Sequence, residues 1–177
     1  AIIENCDFLN NFGWGGGHAR NAGDGSAICA TDMTTLNVSD CRFIGNRACG
    51  AETIGGVVRV LVIKRAGMVS RFTRCVFKNN GFFPNRTTKN SGSISLGDGT
   101  LEMVNCLVAG IDLQSSADSF KRAIDIRKGT ATLSNCTITD NKTWGVYRDP
   151  VYGRVDIVGS IIYSNTLGSL SNVDTAT

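Results

Sequence analysis

Leu133-Ser134-Asn135-Cys136-Thr137-Ile138-Thr139-Asp140-Asn141 decides how the chain folds, because its pattern returns along the whole sequence. Four further copies carry the cysteine: Asn5-Cys6-Asp7-Phe8, Asp40-Cys41-Arg42-Phe43, Arg74-Cys75-Val76-Phe77 and Asn105-Cys106-Leu107-Val108. A last copy, Gly159-Ser160-Ile161-Ile162, has serine in its place. The intervals are 35, 34, 31, 30 and 24 residues. Such an elastic period is expected of a stacking repeat, which keeps its core positions and admits insertions in its loops. Cys-x-Phe, or Cys-x-Ile/Val, puts two apolar side chains on one face of a short strand.

A second alternating pair lies five and three residues before the cysteine: Leu36/Val38, Leu101/Met103, Ala131/Leu133 and Val155/Ile157. Three is an odd offset, so both pairs face inward only if the chain turns between them. The residue before the cysteine reads Asn5, Asp40, Arg74, Asn105, Asn135, Gly159, and all but Arg74 tolerate a left-handed backbone. Five residues after the cysteine comes a further column, Asn11, Asn46, Asn80, Ile111, Asn141, Asn165. Stacked at ~4.8 Å, identical amides hydrogen-bond up and down the stack, so this column predicts an asparagine ladder. A third strand is visible at Ser93-Ile94-Ser95-Leu96 and Ala123-Ile124-Asp125-Ile126, each followed by a Gly-Thr turn. The expectation is an all-β parallel β-helix solenoid: one domain over residues 1–177, about six coils, three short strands per coil and long loops from one corner.

These units resemble the repeats of right-handed β-helices of the pectin-lyase-like superfamily. They are most similar to the adhesin and polymorphic-outer-membrane-protein type, in which a Gly-Gly-Ala-Ile strand precedes Asn-Cys-x-Phe-x-Asn-Asn. Gly25-Ser26-Ala27-Ile28 ahead of Asp40-Cys41-Arg42-Phe43 carries the likeness, as does Gly129-Thr130 ahead of Asn135-Cys136-Thr137-Ile138. It runs from residue 2 to about 165 and implies the right-handed fold; function does not follow from fold.

The totals set further bounds. With 18 basic against 15 acidic residues, a formal charge of +3 and no run of five like charges, the chain has no nucleic-acid-binding tail of the usual kind. Its longest apolar run, residues 57–63, is broken by Arg59 and falls well short of a membrane span, so no membrane insertion is expected. It opens at Ala1 without a methionine, which reads as a mature chain or a segment of a longer one. Cys6, Cys41, Cys75, Cys106 and Cys136 are expected to form a buried column of thiols. With no Cys-x-x-Cys and a single histidine, His18, no metal site and no cofactor are expected. Cys29 and Cys49 fall outside the column, flank one coil and form a candidate disulfide in an oxidising compartment.

Segments 12–25, 47–56, 81–92, 112–122 and 142–154 all follow the asparagine column, so as loops they line one flank. That flank collects Trp14, Phe82, Phe83, Phe120, Trp144 and Tyr147 with Arg20, Arg86, Arg122 and Arg148. Aromatic faces beside guanidiniums suit glycans or another subunit; alternatively each aromatic covers the end of its own coil. A polysaccharide lyase or hydrolase needs clustered carboxylates, yet Asp112, Asp118 and Asp125 are dispersed and Asp149 and Asp156 lie on the next coil. Gly13-Trp14-Gly15-Gly16-Gly17 lacks the Lys-Ser/Thr and helix of a phosphate loop. Of the Asn-x-Ser/Thr sequons, Asn37, Asn85 and Asn135 are glycosylation candidates, while Asn141 belongs to the ladder.

Two functions follow as expectations. The first is an extracellular or cell-surface structural subunit that self-associates end to end, through contacts such as Ile2 and Ile3, into a filament, coat or adhesive structure. The alternative is a carbohydrate-active or carbohydrate-binding β-helix.

Overall fold

The computed structural model describes residues 1–14, 26–31, 34–49, 57–61, 67–82, 93–113 and 121–172, excluding the side chains of Trp14, Thr31, Ala48, Cys49, Arg59, Val60, Leu61, Phe82 and Leu113. Among these residues the only regular elements are strands, without helix, and every strand pair is parallel. The strands form stacked sheets whose spatial order follows the chain, the arrangement of a parallel β-solenoid.

The first sheet contains β1 (Ile2–Glu4), β5 (Thr35–Ser39), β9 (Val69–Thr73), β13 (Thr100–Val104), β17 (Gly129–Ser134) and β20 (Gly153–Val158). The second contains β2 (Asp7–Leu9), β6 (Arg42–Ile44), β10 (Val76–Lys78), β14 (Leu107–Ala109), β18 (Thr137–Thr139) and β21 (Ile161–Tyr163). A third sheet has only four very short strands: β3 (Phe12–Trp14), β7 (Arg47–Cys49), β11 (Gly81–Phe82) and β15 (Asp112–Leu113). The fourth contains β4 (Ile28–Thr31), β8 (Val58–Leu61), β12 (Ile94–Leu96), β16 (Arg122–Ile126), β19 (Trp144–Arg148) and β22 (Gly168–Ser171). Residues 12–14, 47–49, 81–82 and 112–113, taken from the sequence as the starts of loops, are therefore strands. So is most of 142–154, which holds β19 and the start of β20.

Left-handed residues make the corners. Between the first and second sheets, Asn5, Asp40, Arg74, Asn105, Asn135 and Gly159 all have φ between 51° and 56°. Even Arg74 adopts this conformation; its guanidinium grips Asp40 of the preceding rung, with Nε 2.7 Å from Oδ1 and Nη2 2.6 Å from Oδ2. A second column of left-handed residues, Asn10, Gly45, Asn79, Gly110, Asp140 and Ser164, turns the chain out of the second sheet. Side chains interlock here: a Cβ at Gly45 or Gly110 would collide with Oδ1 of Asn10 or Asn79 one rung earlier.

Inside, equivalent residues stack in register. Phe8, Phe43 and Phe77 pile ring on ring with centroids 4.7 Å apart and planes within 6°. Above them the column continues as Val108, Ile138 and Ile162. Leu36, Val38, Phe72, Leu101, Met103, Ala131 and Leu133 fill the core from the first sheet, and Ile94, Leu96, Ile124, Ile126 and Val146 from the fourth. In-register parallel pairing makes this unavoidable, because a one-residue slip would turn every one of these side chains outward.

Candidate functional site

The amide column is hydrogen-bonded along its length with one polarity. Asn46 Oδ1 accepts from both N–H and Nδ2 of Asn11, each at 2.9 Å, and Asn46 repeats this on Asn80 at 2.9 and 3.2 Å. Nδ2 also donates backward to a carbonyl one rung earlier: Asn46 to Phe8 O and Asn80 to Phe43 O, both 2.8 Å. Ile111 interrupts the side-chain ladder, although its backbone N–H still donates to Asn141 Oδ1 at 2.9 Å. The column resumes with Asn141 donating to Asn165 Oδ1. Buried amides pair because an unpaired one costs most of its desolvation.

Cys41, Cys75, Cys106 and Cys136 are buried and free, whereas Cys6 is half-buried. Each of the four aims its thiol at two carbonyls, one two residues back and one on the preceding rung: Thr73 O and Val38 O for Cys75, Val104 O and Phe72 O for Cys106. Ser160 makes the same pair of bonds with its hydroxyl, both at 3.1 Å, which is why serine substitutes here. Burial pushes the Cys41 thiol above its ordinary value, so it stays protonated and unreactive at neutral pH. Cys29 is an exposed free thiol on β4; the Cys49 side chain, and with it the proposed disulfide, lies outside the described residues.

Of the aromatic and basic flank, Arg20, Phe83, Arg86 and Phe120, and the side chains of Trp14 and Phe82, lie outside the described residues. Arg122 and Tyr147 do come together, with the guanidinium 3.4 Å from the ring centroid. They are strand residues, however, and Arg122 is 5% exposed. Arg122 Nη1 and Arg127 Nε hold the two oxygens of a wholly buried Asp125, at 3.1 and 2.6 Å. Desolvation lowers the Arg122 pKa, with the Asp125 carboxylate opposing it. Ser95 is the register neighbour of Asp125, and Ser95 Oγ and Arg127 Nη2 have essentially no accessible surface, so no ligand reaches them in this conformation. Trp144 covers Gly168, and Arg148 donates to the carbonyls of Asn172 and Gly153. These four therefore brace neighbouring rungs.

Carboxylates near this flank are similarly engaged. Asp112 pairs with Lys142, Asp156 with Arg154, and Asp149 Oδ1 accepts the N–H groups of Val151 and Tyr152 in a turn. Among the described residues no three His, Cys, Asp or Glu side chains converge as metal ligands. Asn37 sits mid-strand on β5 between Ile2 and Arg71, Asn135 is exposed at its corner, Asn141 is buried in the ladder, and Asn85 lies outside the described residues.

The strand pairing of the described residues stops at the first and last rungs. Strands β1, β2 and β3 at one end, and β20 and β21 at the other, have a neighbour on one side only. The eight large apolar side chains that stand exposed among the described residues lie on these terminal rungs or in the turn that enters β20: Ile2, Leu9 and Phe12, then Val151 and Tyr152 in the turn, and Val158, Ile161 and Tyr163. Ile3 faces inward beside Val38 and is half-buried. Ile2 and Ile3 are the end residues the sequence points to, whereas a lone outward Leu9, Ile161 or Tyr163 in a short strand carries no periodic signal. No protein-family model, curated protein or solved structure matches the chain.

Proposed function

We propose that the chain is a structural subunit of an extracellular or cell-surface assembly, joined end to end into a filament, coat or adhesive surface. On this reading it is a right-handed β-helix of the pectin-lyase-like class with adhesin-type repeats, in about six coils of three or four strands. One observation supports the reading: among the described residues the large apolar side chains that stand exposed lie on the first and last rungs and in the turn that enters β20. Unpaired parallel edges are templates for further strands, and soluble proteins ordinarily protect them with charge, proline or a covering segment. A head-to-tail joint is heterologous and need not close, so it propagates as an open polymer. The carbohydrate alternative draws less support, since Arg122 and Tyr147 are packed against each other and Asp112, Asp125, Asp149 and Asp156 are engaged. A glycan at exposed Asn135 is compatible with this role, whereas Asn37 lies mid-strand with its side-chain oxygen buried.

Sedimentation and electron microscopy of the purified chain over a concentration series test the proposal. Concentration-dependent polymers are expected, and Ile2→Lys with Ile3→Lys should dissolve them. A monomer that persists at high concentration rules the reading out.

A further inference from the structure

We infer that the stack holds a weak joint between its third rung (β8 to β11) and its fourth (β12 to β15), where two blocks of rungs part before either block unfolds. The inference concerns rungs paired on both sides, so it stands whether or not the chain assembles end to end. Two side-chain columns change together at this place. In the amide column an interior Asn sends its N–H and Nδ2 to the Oδ1 one rung ahead, and a second Nδ2 bond to a carbonyl one rung behind. Counting joints from the first rung, three such bonds cross the first, second and fifth joints and two cross the fourth. Among the described residues none crosses the third, because Ile111 stands ahead of Asn80 and its side chain offers neither acceptor nor donor.

Asn80 is wholly buried, so its N–H and its remaining Nδ2 hydrogen are shut away from water without an acceptor among the described residues. A buried donor in that state costs its desolvation, and the apolar contact that Ile111 supplies does not restore the bond. The backbone bond beside the gap, from Asp112 N–H to Asn80 O, is 3.2 Å, the longest of its column, where its equivalents are 2.8 to 3.0 Å. The ring stack ends at the same joint: Phe8, Phe43 and Phe77 lie 4.7 Å apart, and the next rung offers Val108.

What else crosses the joint does not set it apart. β9 pairs with β13 over five positions, as it does with β5, and Cys106 reaches Phe72 O just as Cys75 reaches Val38 O. Arg71 and Glu102 bridge it on the outer face, where an ion pair with both partners substantially exposed contributes little. In a stacked repeat, stability is close to a sum over rungs and nearest-neighbour joints, so the interior joint with the fewest bonds is where the stack yields. The result is a solenoid that opens at its middle while a core survives on each side.

Native-state amide hydrogen exchange of the dilute chain in low denaturant tests this. Arg74, Asn79 and Leu107 donate across the third joint, Asp40, Gly45 and Val76 across the second, and Asn105 and Thr137 across the fourth. The third-joint amides should be about tenfold less protected than the other two sets, the factor expected of one missing buried bond. Swapping the two side chains, Ile111→Asn with Asn141→Ile, moves the gap one rung on, and the least protected set should become Asn105 and Thr137. Equal protection of the three sets in the parent chain overturns the inference, whether or not the variant folds. Weak protection that stays at the third joint in a folded variant overturns it too, since the ladder would then not place the weakness.

Discussion

Asn46, inside the amide column, engages both its N–H groups and both lone pairs of Oδ1, while Asn11 and Asn165, in the same column at its ends, each leave one side open. The same contrast holds on the surface. Interior rungs turn out cross-rung ion pairs such as Arg74–Asp40 and Arg71–Glu102; the first and last rungs carry Asp7, paired with Arg42, and Arg154–Asp156, but also the exposed Ile2, Leu9, Val158, Ile161 and Tyr163. Within the described residues the interior rungs, apart from the break at Ile111, complete their ladder bonds, and the large exposed apolar side chains gather on the first and last rungs.

The contrast is quantitative. Phe43 is fully buried between Phe8 and Phe77, so Phe43→Ala should cost roughly 3–5 kcal/mol in denaturant unfolding. Phe8→Ala, stacked on one side only, should cost clearly less when measured on dilute monomer. Equal losses would break the distinction between interior and terminal rungs.

Next in size is the ladder. Asn80→Leu removes the acceptor of two Asn46 bonds and the donor to Phe43 O, for an expected loss of about 1–3 kcal/mol. Asn11→Leu should destabilise the monomer less and weaken association more. An unchanged melting midpoint for Asn80→Leu would mean that the ladder contributes nothing.

Native thiol labelling sharpens the same comparison without substitution. Cys41, Cys75, Cys106 and Cys136 should stay unmodified until the chain is unfolded, while exposed Cys29 reacts readily and half-buried Cys6 at an intermediate rate. Fast labelling of the four interior thiols would contradict the inward column.

The smallest effect concerns the charged outer face. Arg42 beside Asp7, Arg74 beside Asp40 and Lys128 beside Asp98 hold these carboxyls below their ordinary 3.8. A depressed folded value means that the stabilisation is fully present above the ordinary value and is lost as pH falls through the folded one. The melting temperature should therefore be flat from neutrality to about pH 4 and decline slightly below it, less so in high salt because exposed pairs are screened. A loss beginning near neutrality would point to other groups.

Much of this architecture was readable in advance. The cysteine spacing and the Cys-x-Phe alternation fall on the observed register, and the left-handed corner was legible from Asn5, Asp40, Asn105, Asn135 and Gly159 because so few residue types tolerate that backbone. Arg74 resisted the rule, its long side chain reaching Asp40 across the rungs. The second corner column escaped notice although Asn10, Gly45, Asn79, Gly110, Asp140 and Ser164 lie one residue before the ladder. Strands of two or three residues, as in the third sheet, are too short to show alternation. Trp144 to Arg148 read as loop because aromatic and basic residues crowd it, whereas the 24-residue spacing there leaves no room for an insertion. Ile2 was named from the sequence as an end residue, whereas the exposure of Leu9, Val158, Ile161 and Tyr163 carries no periodic signal of its own.

Backbone amide hydrogen exchange across a concentration series tests the central claim most directly. β1, β2, β20 and β21 should gain protection together as concentration rises, while β9, β10, β13 and β14, paired on both sides, remain unchanged. Edge strands that exchange at the same rate at every concentration, in a chain that stays folded, would contradict it.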